Sequence, residues 1–295
     1  MIEHRKSLNH ELDFERVRSS CVESYSRARM TPYERNGTDI AIPSPLNSAL
    51  AILDQVYVLS RFECPSEHFF ATLENKVTCI VGTVLDKCVP QKYIAGGQSH
   101  ALRVTFSHAF IFHLALTAGY RNIAVVEADV WLRESVLNFT FTDDFATLIR
   151  STEWNVVRFG YRPYFLQEKG TRPCPGKCRC RIPKNGKQLC KIVSHGCDLR
   201  SSDFYVVNRR VFKRLRDSMT KLRPQSQQRI VDLAPLQSLR NQWLVVPQIS
   251  FQKSLDIPQL YQVGLASLYI KKCVLPKAVG SHLLDAASTK SGSCM

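Results

Sequence analysis

A series of short β-branched and aromatic runs, separated by helical stretches, constrains this chain more than any other feature. Gln55–Ser60 (QVYVLS) and Val77–Val81 (VTCIV) each suit one buried strand. Gly96 and Gly97 then break the chain ahead of Ser99–Thr117. There Leu102, Phe106, Ala109, Phe110, His113 and Leu114 fall at helical spacing, with Gly119 as the C′ stop. Ile123–Val126 (IAVV), Trp154–Phe159 (WNVVRF, closed by Gly160), Phe204–Val207 (FYVV) and Leu244–Phe251 (LVVPQISF) supply further strands. Pro247 makes the last of them an edge strand or a broken one. A short helix is expected over Asp143–Ile149 and a basic one from Arg209 to Met219. Strands alternating with helices predict an α/β fold with a mostly parallel sheet. Residues 1–50 read as an N-terminal extension with a linker, 51–270 as one domain, and 271–295 as a tail.

Charge points first to nucleic acid, since 40 Lys+Arg against 25 Asp+Glu leave a net +15. Its distribution removes that reading. Residues 151–223 hold 18 basic and 5 acidic side chains, a net of +13, whereas residues 51–150 hold 8 and 10, a net of −2. The excess therefore belongs to one stretch, and neither an aromatic-rich RNA motif nor a helix-turn-helix pattern accompanies it. A hydrophobic fraction of 44% excludes a disordered chain.

The chemistry concentrates in IAVVEAD, a buried strand that runs directly into two carboxylates. Glu127 and Asp129 alternate with Ala128, so an extended backbone sends both to one side. In open α/β sheets ligands bind beyond the carboxyl ends of the strands. Two carboxylates there suit a hard divalent cation, Mg or Mn, with oxygen ligands. The alternative is that they end the strand and cap the following loop.

The order of segments adds to this. Ser107-His108, the helix leading to Gly119-Tyr120, and then IAVVEADVWL resemble the family 25 glycosyltransferases, the lipopolysaccharide and collagen galactosyltransferases, in which a Ser-His opens the helix before the strand. VYVLSR (Val56–Arg61) is similar to that family's first strand, whose end meets the nucleotide. WNVVRFG, SDFYVVNRRVFKRL, Val231-Asp232 and VVPQISFQKSLDI follow in the family's order, so the resemblance covers roughly residues 52–257. Ala128 stands where the family has a middle acidic residue, and FECPSEHF replaces its Arg-rich turn, leaving Arg61 for that role.

The resemblance implies a GT-A-like (Rossmann-like) nucleotide-sugar domain with a Cys-rich basic insert, and transfer of a sugar to a hydroxyl of a glycan or glycoprotein. It implies inversion at the anomeric carbon. The donor is a nucleotide sugar, a UDP-sugar among the candidates, bound at Ser60, Arg61, Glu127 and Asp129. The metal falls to Asp129 with Glu127, because a bound cation stabilises a departing diphosphate as a Lewis acid. The base that takes the acceptor proton is Asp232, with Asp203 second; an N-cap to the helix at Leu233–Leu239 is the other reading of Asp232. His108 reads as packed or hydrogen-bonded inside the fold, with a catalytic role as the alternative.

The stretch around residues 165–200 is the insert. Five of eleven cysteines fall between Cys174 and Cys197, without the CxxC spacing of common zinc folds, so a disulfide-stapled or partly reduced loop is favoured over zinc, for which His195 could complete a ligand set. Asn36-Gly37-Thr38 and Asn138-Phe139-Thr140 are sequons that chance alone would supply. MIEHRKSLNHELDFERVR has no apolar leader and Phe110–Ala118 is too short to span a bilayer, so a soluble protein without a transmembrane segment is expected. The compartment stays open: the ER or Golgi lumen if the chain is a fragment, otherwise the cytoplasm. Two other functions compete: a non-enzymatic zinc- or polyanion-binding module built on residues 151–223, and a degenerate transferase fold kept for binding.

Overall fold

Ser44-Pro45 is a helix-opening pair, since serine caps orphan N–H groups and proline suits the first helical turn. In the computed structural model the Ser44 hydroxyl accepts from the Asn47 N–H at 3.1 Å and opens α1, Pro45–Leu50. The structure describes residues 44–61, 73, 76–82, 99–132, 136–163, 180–181, 188–192, 199–220, 235–246 and 248–252. Leu46, Ala49 and Leu50 are buried in the core, so the stretch read as extension and linker contributes a packed helix. The expected tail at 271–295 lies outside the described residues.

The strands are β1 (Gln55–Ser60), β2 (Val77–Val81), β3 (Asn122–Glu127), β4 (Val130–Leu132), β5 (Val156–Arg158), β6 (Arg162–Pro163), β7 (Cys180–Arg181), β8 (Leu189–Ile192), β9 (Leu199–Arg200), β10 (Phe204–Asn208), β11 (Gln242–Val245) and β12 (Ser250–Gln252). The helices are α2 (Ser99–Thr117), α3 (Thr140–Arg150) and α4 (Phe212–Thr220), the last entered through a 3-10 turn at Arg209–Val211. The main sheet has the order β2-β1-β3-β10-β5-β11-β8-β7. Its ladders make β2, β1, β3, β5, β11 and β7 run one way, with β10 and β8 opposed. The fold is mixed α/β: most strands share one direction, yet antiparallel β10 sits in the middle of the sheet.

Both faces of the sheet are covered, which is why its strands read as continuous apolar runs. On one face Val56, Val58, Ala124, Val126, Phe159 and Phe204 meet α1 and α3, and the Phe159 and Phe204 rings stack at 4.3 Å. On the other Tyr57, Ile123, Val125, Tyr205 and Val207 meet α2 and α4, where Phe112 stacks on Phe212 at 5.8 Å. Gly119 ends α2 at φ +77°, with Gly119 N–H on the Leu116 carbonyl (3.2 Å) and Tyr120 N–H on that of Ala115 (3.1 Å). That is the paired bonding of a Schellman stop, which needs a left-handed residue.

LVVPQISF is broken, one of the two outcomes its proline predicts: β11 lies inside the main sheet, while β12 pairs with β4 in a separate ribbon. The cysteine-rich insert is no simple loop, because β7 and β8 within it form one edge of the main sheet, and its remainder lies mostly outside the described residues. Cys79 in β2 and Cys190 in β8 are both disulfide-bonded. Six strand steps separate β2 from β8. At ~4.8 Å per step that is about 29 Å, far beyond the roughly 7 Å limit between bridged Cα atoms, so each pairs with a different cysteine. Among the described residues no helix is long and apolar enough to cross a membrane.

Candidate functional site

The chain leaves β1 toward β2 on one side, and returns as β3 on the other side of β1. Connections diverge between the carboxyl ends of β1 and β3, which opens a crevice there, the place where open α/β sheets bind ligands. The Ala128 N–H donates to the Leu59 carbonyl at 2.8 Å and ties the two strand ends together. Ser60 ends β1, buried, and Arg61 follows it, exposed. Glu127 ends β3 and Asp129 stands exposed on the turn after it. The structure therefore brings Ser60, Arg61, Glu127 and Asp129 to the same edge of the sheet, at the carboxyl ends of β1 and β3.

Antiparallel β10 delivers a third group. Because it runs against its neighbours, its first residues reach the edge where β3 and β5 end, bringing Ser201, Ser202 and Asp203 with them. Ser201 has φ +104°, a strained conformation for a residue with a Cβ. The fully buried Arg158 holds this turn by donating from a terminal guanidinium nitrogen to the Ser201 carbonyl at 3.2 Å, while its Nε donates to Gln242 Oε1 at 3.2 Å.

Glu127 is fixed from three sides. Ser202 Oγ donates to its Oε1 at 2.9 Å, His108 Nε2 lies 3.4 Å from the same oxygen, and its own N–H donates to the Asp203 carbonyl at 2.8 Å. Behind it, His108 Nδ1 and the Tyr205 hydroxyl are 2.6 Å apart in the core. Burial above all, then the Glu127 charge, raises the Tyr205 pKa well above the ordinary phenol value, with Arg158 pulling the other way. A carboxylate can only accept, so in the neutral ring Nε2 carries the hydrogen that faces Glu127 and Nδ1 accepts from the Tyr205 hydroxyl. Ring 15N shifts of His108 are expected to show a pyridine-like Nδ1 and a pyrrole-like Nε2, with that preference lost in Tyr205→Phe; a pyrrole-like Nδ1 in the unaltered chain would contradict the assignment.

Asp203 is only 2% exposed. Ser201 Oγ donates to its Oδ1, and Ser250 Oγ to its Oδ2 at 2.9 Å. A carboxylate so enclosed orders the turn and is badly placed to take a proton from an acceptor. Asp232 lies outside the described residues. Among the described residues no group of three or more His, Cys, Asp or Glu is arranged to hold a metal, and Glu127 already spends Oε1 on His108 and Ser202. Ser202 and Tyr205 escaped the sequence reading as site residues, since nothing in an apolar FYVV strand marks its tyrosine as the partner of a histidine 97 residues earlier. Arg158 did leave a signal, a lone cation inside the apolar run WNVVRF.

No protein-family model matches the chain, and no curated protein matches it. Among solved structures, a mannose-1-phosphate geranyltransferase from Thermus thermophilus is similar over 66% of this chain and 74% of its own, at 13% identity and a TM-score of 0.32. A likeness that slight decides neither fold nor activity.

Proposed function

We propose that this chain is a glycosyltransferase of GT-A-like design, which moves a sugar from a nucleotide sugar to a hydroxyl of a glycan or glycoprotein. The observation that carries the reading is the juxtaposition of the carboxyl ends of parallel β1 and β3, which places Ser60 and Arg61 beside Glu127 and Asp129. The resemblance of the ordered segments to the family 25 enzymes supports it independently.

Arg61 offers a guanidinium to the diphosphate, whose two anionic groups suit its planar fork. Glu127, held through Oε1 by Ser202 and His108, presents its carboxylate toward sugar or ribose hydroxyls. A Mg or Mn ion held chiefly by substrate phosphates would ask for one or two carboxylates from the protein, and Asp129, exposed on the turn after β3, would supply one. When bound, such a cation acts as a Lewis acid on the leaving diphosphate. The acceptor oxygen bonds to the anomeric carbon as the carbon–oxygen bond to the diphosphate breaks, through an oxocarbenium-like transition state. Asp232, matching the family's loop aspartate, takes the hydroxyl proton.

The test is thermal stabilisation by a panel of nucleotide sugars, with and without Mn. A ligand that binds the folded chain at 100 times its Kd adds about 2.7 kcal/mol. At least one nucleotide sugar is expected to raise Tm, where the parent monosaccharides do not. No shift with any donor, alongside transfer activity absent for all of them, would remove the reading.

A further inference from the structure

The sequon at Asn138-Phe139-Thr140 is a matter of chance as sequence, but not as structure. We infer that Asn138 is an N-glycosylation site, modified by an oligosaccharyltransferase in the oxidising lumen where the chain folds. Nothing in this inference depends on the activity proposed above.

Four observations converge. First, Asn138, Phe139 and Thr140 are all exposed, at the start of α3, so a bulky saccharide has room in the finished fold. Second, the side-chain amide is oriented for it. The Phe141 N–H, which can only donate, bonds to Oδ1 at 3.1 Å, and the Thr140 hydroxyl donates to the same oxygen at 2.5 Å. That identifies the oxygen without ambiguity and leaves Nδ2, the atom a glycan takes, with no hydrogen-bond partner among the described residues. Third, Phe139 is 85% exposed, a bare aromatic face beside the acceptor that the apolar face of a first sugar can cover. Fourth, Cys79 and Cys190 are disulfide-bonded, and disulfides persist in the secretory compartments where this modification occurs.

The chemistry leaves the fold undisturbed. Nδ2 bonds to C1 of the saccharide while the C1–oxygen bond to a lipid-linked diphosphate breaks. The diphosphate leaves with that electron pair, and the amide releases one proton to the transferase's base. Oδ1 is untouched, so the glycosylated asparagine still caps the first turn of α3.

The full chain, secreted from insect cells behind a cleavable leader, tests this. Digestion with peptide N-glycosidase in H₂¹⁸O is expected to remove one glycan at position 138 and leave an ¹⁸O-labelled aspartate there. Asn138→Asp keeps a capping oxygen but offers no acceptor nitrogen, and Thr140→Ala keeps the cap but breaks the sequon. Both should lose the glycan while keeping the cooperative melt of the parent, and Thr140→Ser should retain it. An unmodified Asn138 in folded, secreted chain overturns the inference. So does recovery of Cys79 and Cys190 as free thiols from that chain.

Discussion

Gly160→Ala is expected to destabilise the fold by about 3–5 kcal/mol, combining overpacking with loss of charge-assisted hydrogen bonds. The reason is space. A Cβ on Gly160 would lie 2.5 Å from both carboxylate oxygens of Asp203 and 2.8 Å from its Cγ. Asp203 cannot retreat, because it is buried and its oxygens are held by the Ser201 and Ser250 hydroxyls. Moving it would strip a buried carboxylate of its donors and release the strained Ser201 turn, which in turn positions Ser202 against Glu127. The effect should appear in urea as a lower midpoint with an unchanged slope. Asp203→Ala removes the obstacle, so the double variant should fall well short of the sum of the singles. A Gly160→Ala protein within about 0.5 kcal/mol of the parent, the range of an ordinary surface change, would show that Asp203 is not locked as described.

Asp129→Ala should have the largest effect on activity and almost none on stability. The side chain is exposed on the turn beyond β3, so its removal is expected to change stability by no more than about 0.5 kcal/mol. Transfer should fall at least ~100-fold, the scale seen when one group stabilising developing charge is removed. Any Mn-dependence of donor binding should go with it. Glu127→Gln should differ, because the new amide keeps the shape but no longer presents an anion to His108 and Ser202. Its loss is expected in donor affinity together with a small fall in Tm. Normal transfer by Asp129→Ala would remove that residue from the chemistry.

The strands that are buried on both faces were readable because an uninterrupted apolar run needs no partner to be recognised; QVYVLS and VTCIV match β1 and β2 end to end. Gly119 was readable because a helix stop is local. Direction was not. FYVV reads the same parallel or antiparallel, yet its antiparallel course is what brings Ser202 and Asp203 to the crevice. Pro45–Leu50 was lost to its polar and proline-rich surroundings, although Ser44-Pro45 carried a legitimate helix-start signal. β7 and β8 lie in basic, cysteine-rich text with no period to find. Of the site, the lips at Ser60, Arg61, Glu127 and Asp129 follow from strand ends. The supports behind Glu127 join residues 19, 75 and 97 positions apart, which no local pattern encodes.

A nucleotide sugar is expected to seat between the carboxyl ends of β1 and β3. Backbone amide hydrogen exchange with and without the donor that raises Tm most reads that location directly. Protection is expected at Leu59–Arg61 and Glu127–Asp129, where the Ala128 N–H to Leu59 carbonyl bond closes the floor of the crevice, with little change at β7 and β8. Protection confined to the β7–β8 edge, with the ends of β1 and β3 exchanging as in the free protein, would contradict it.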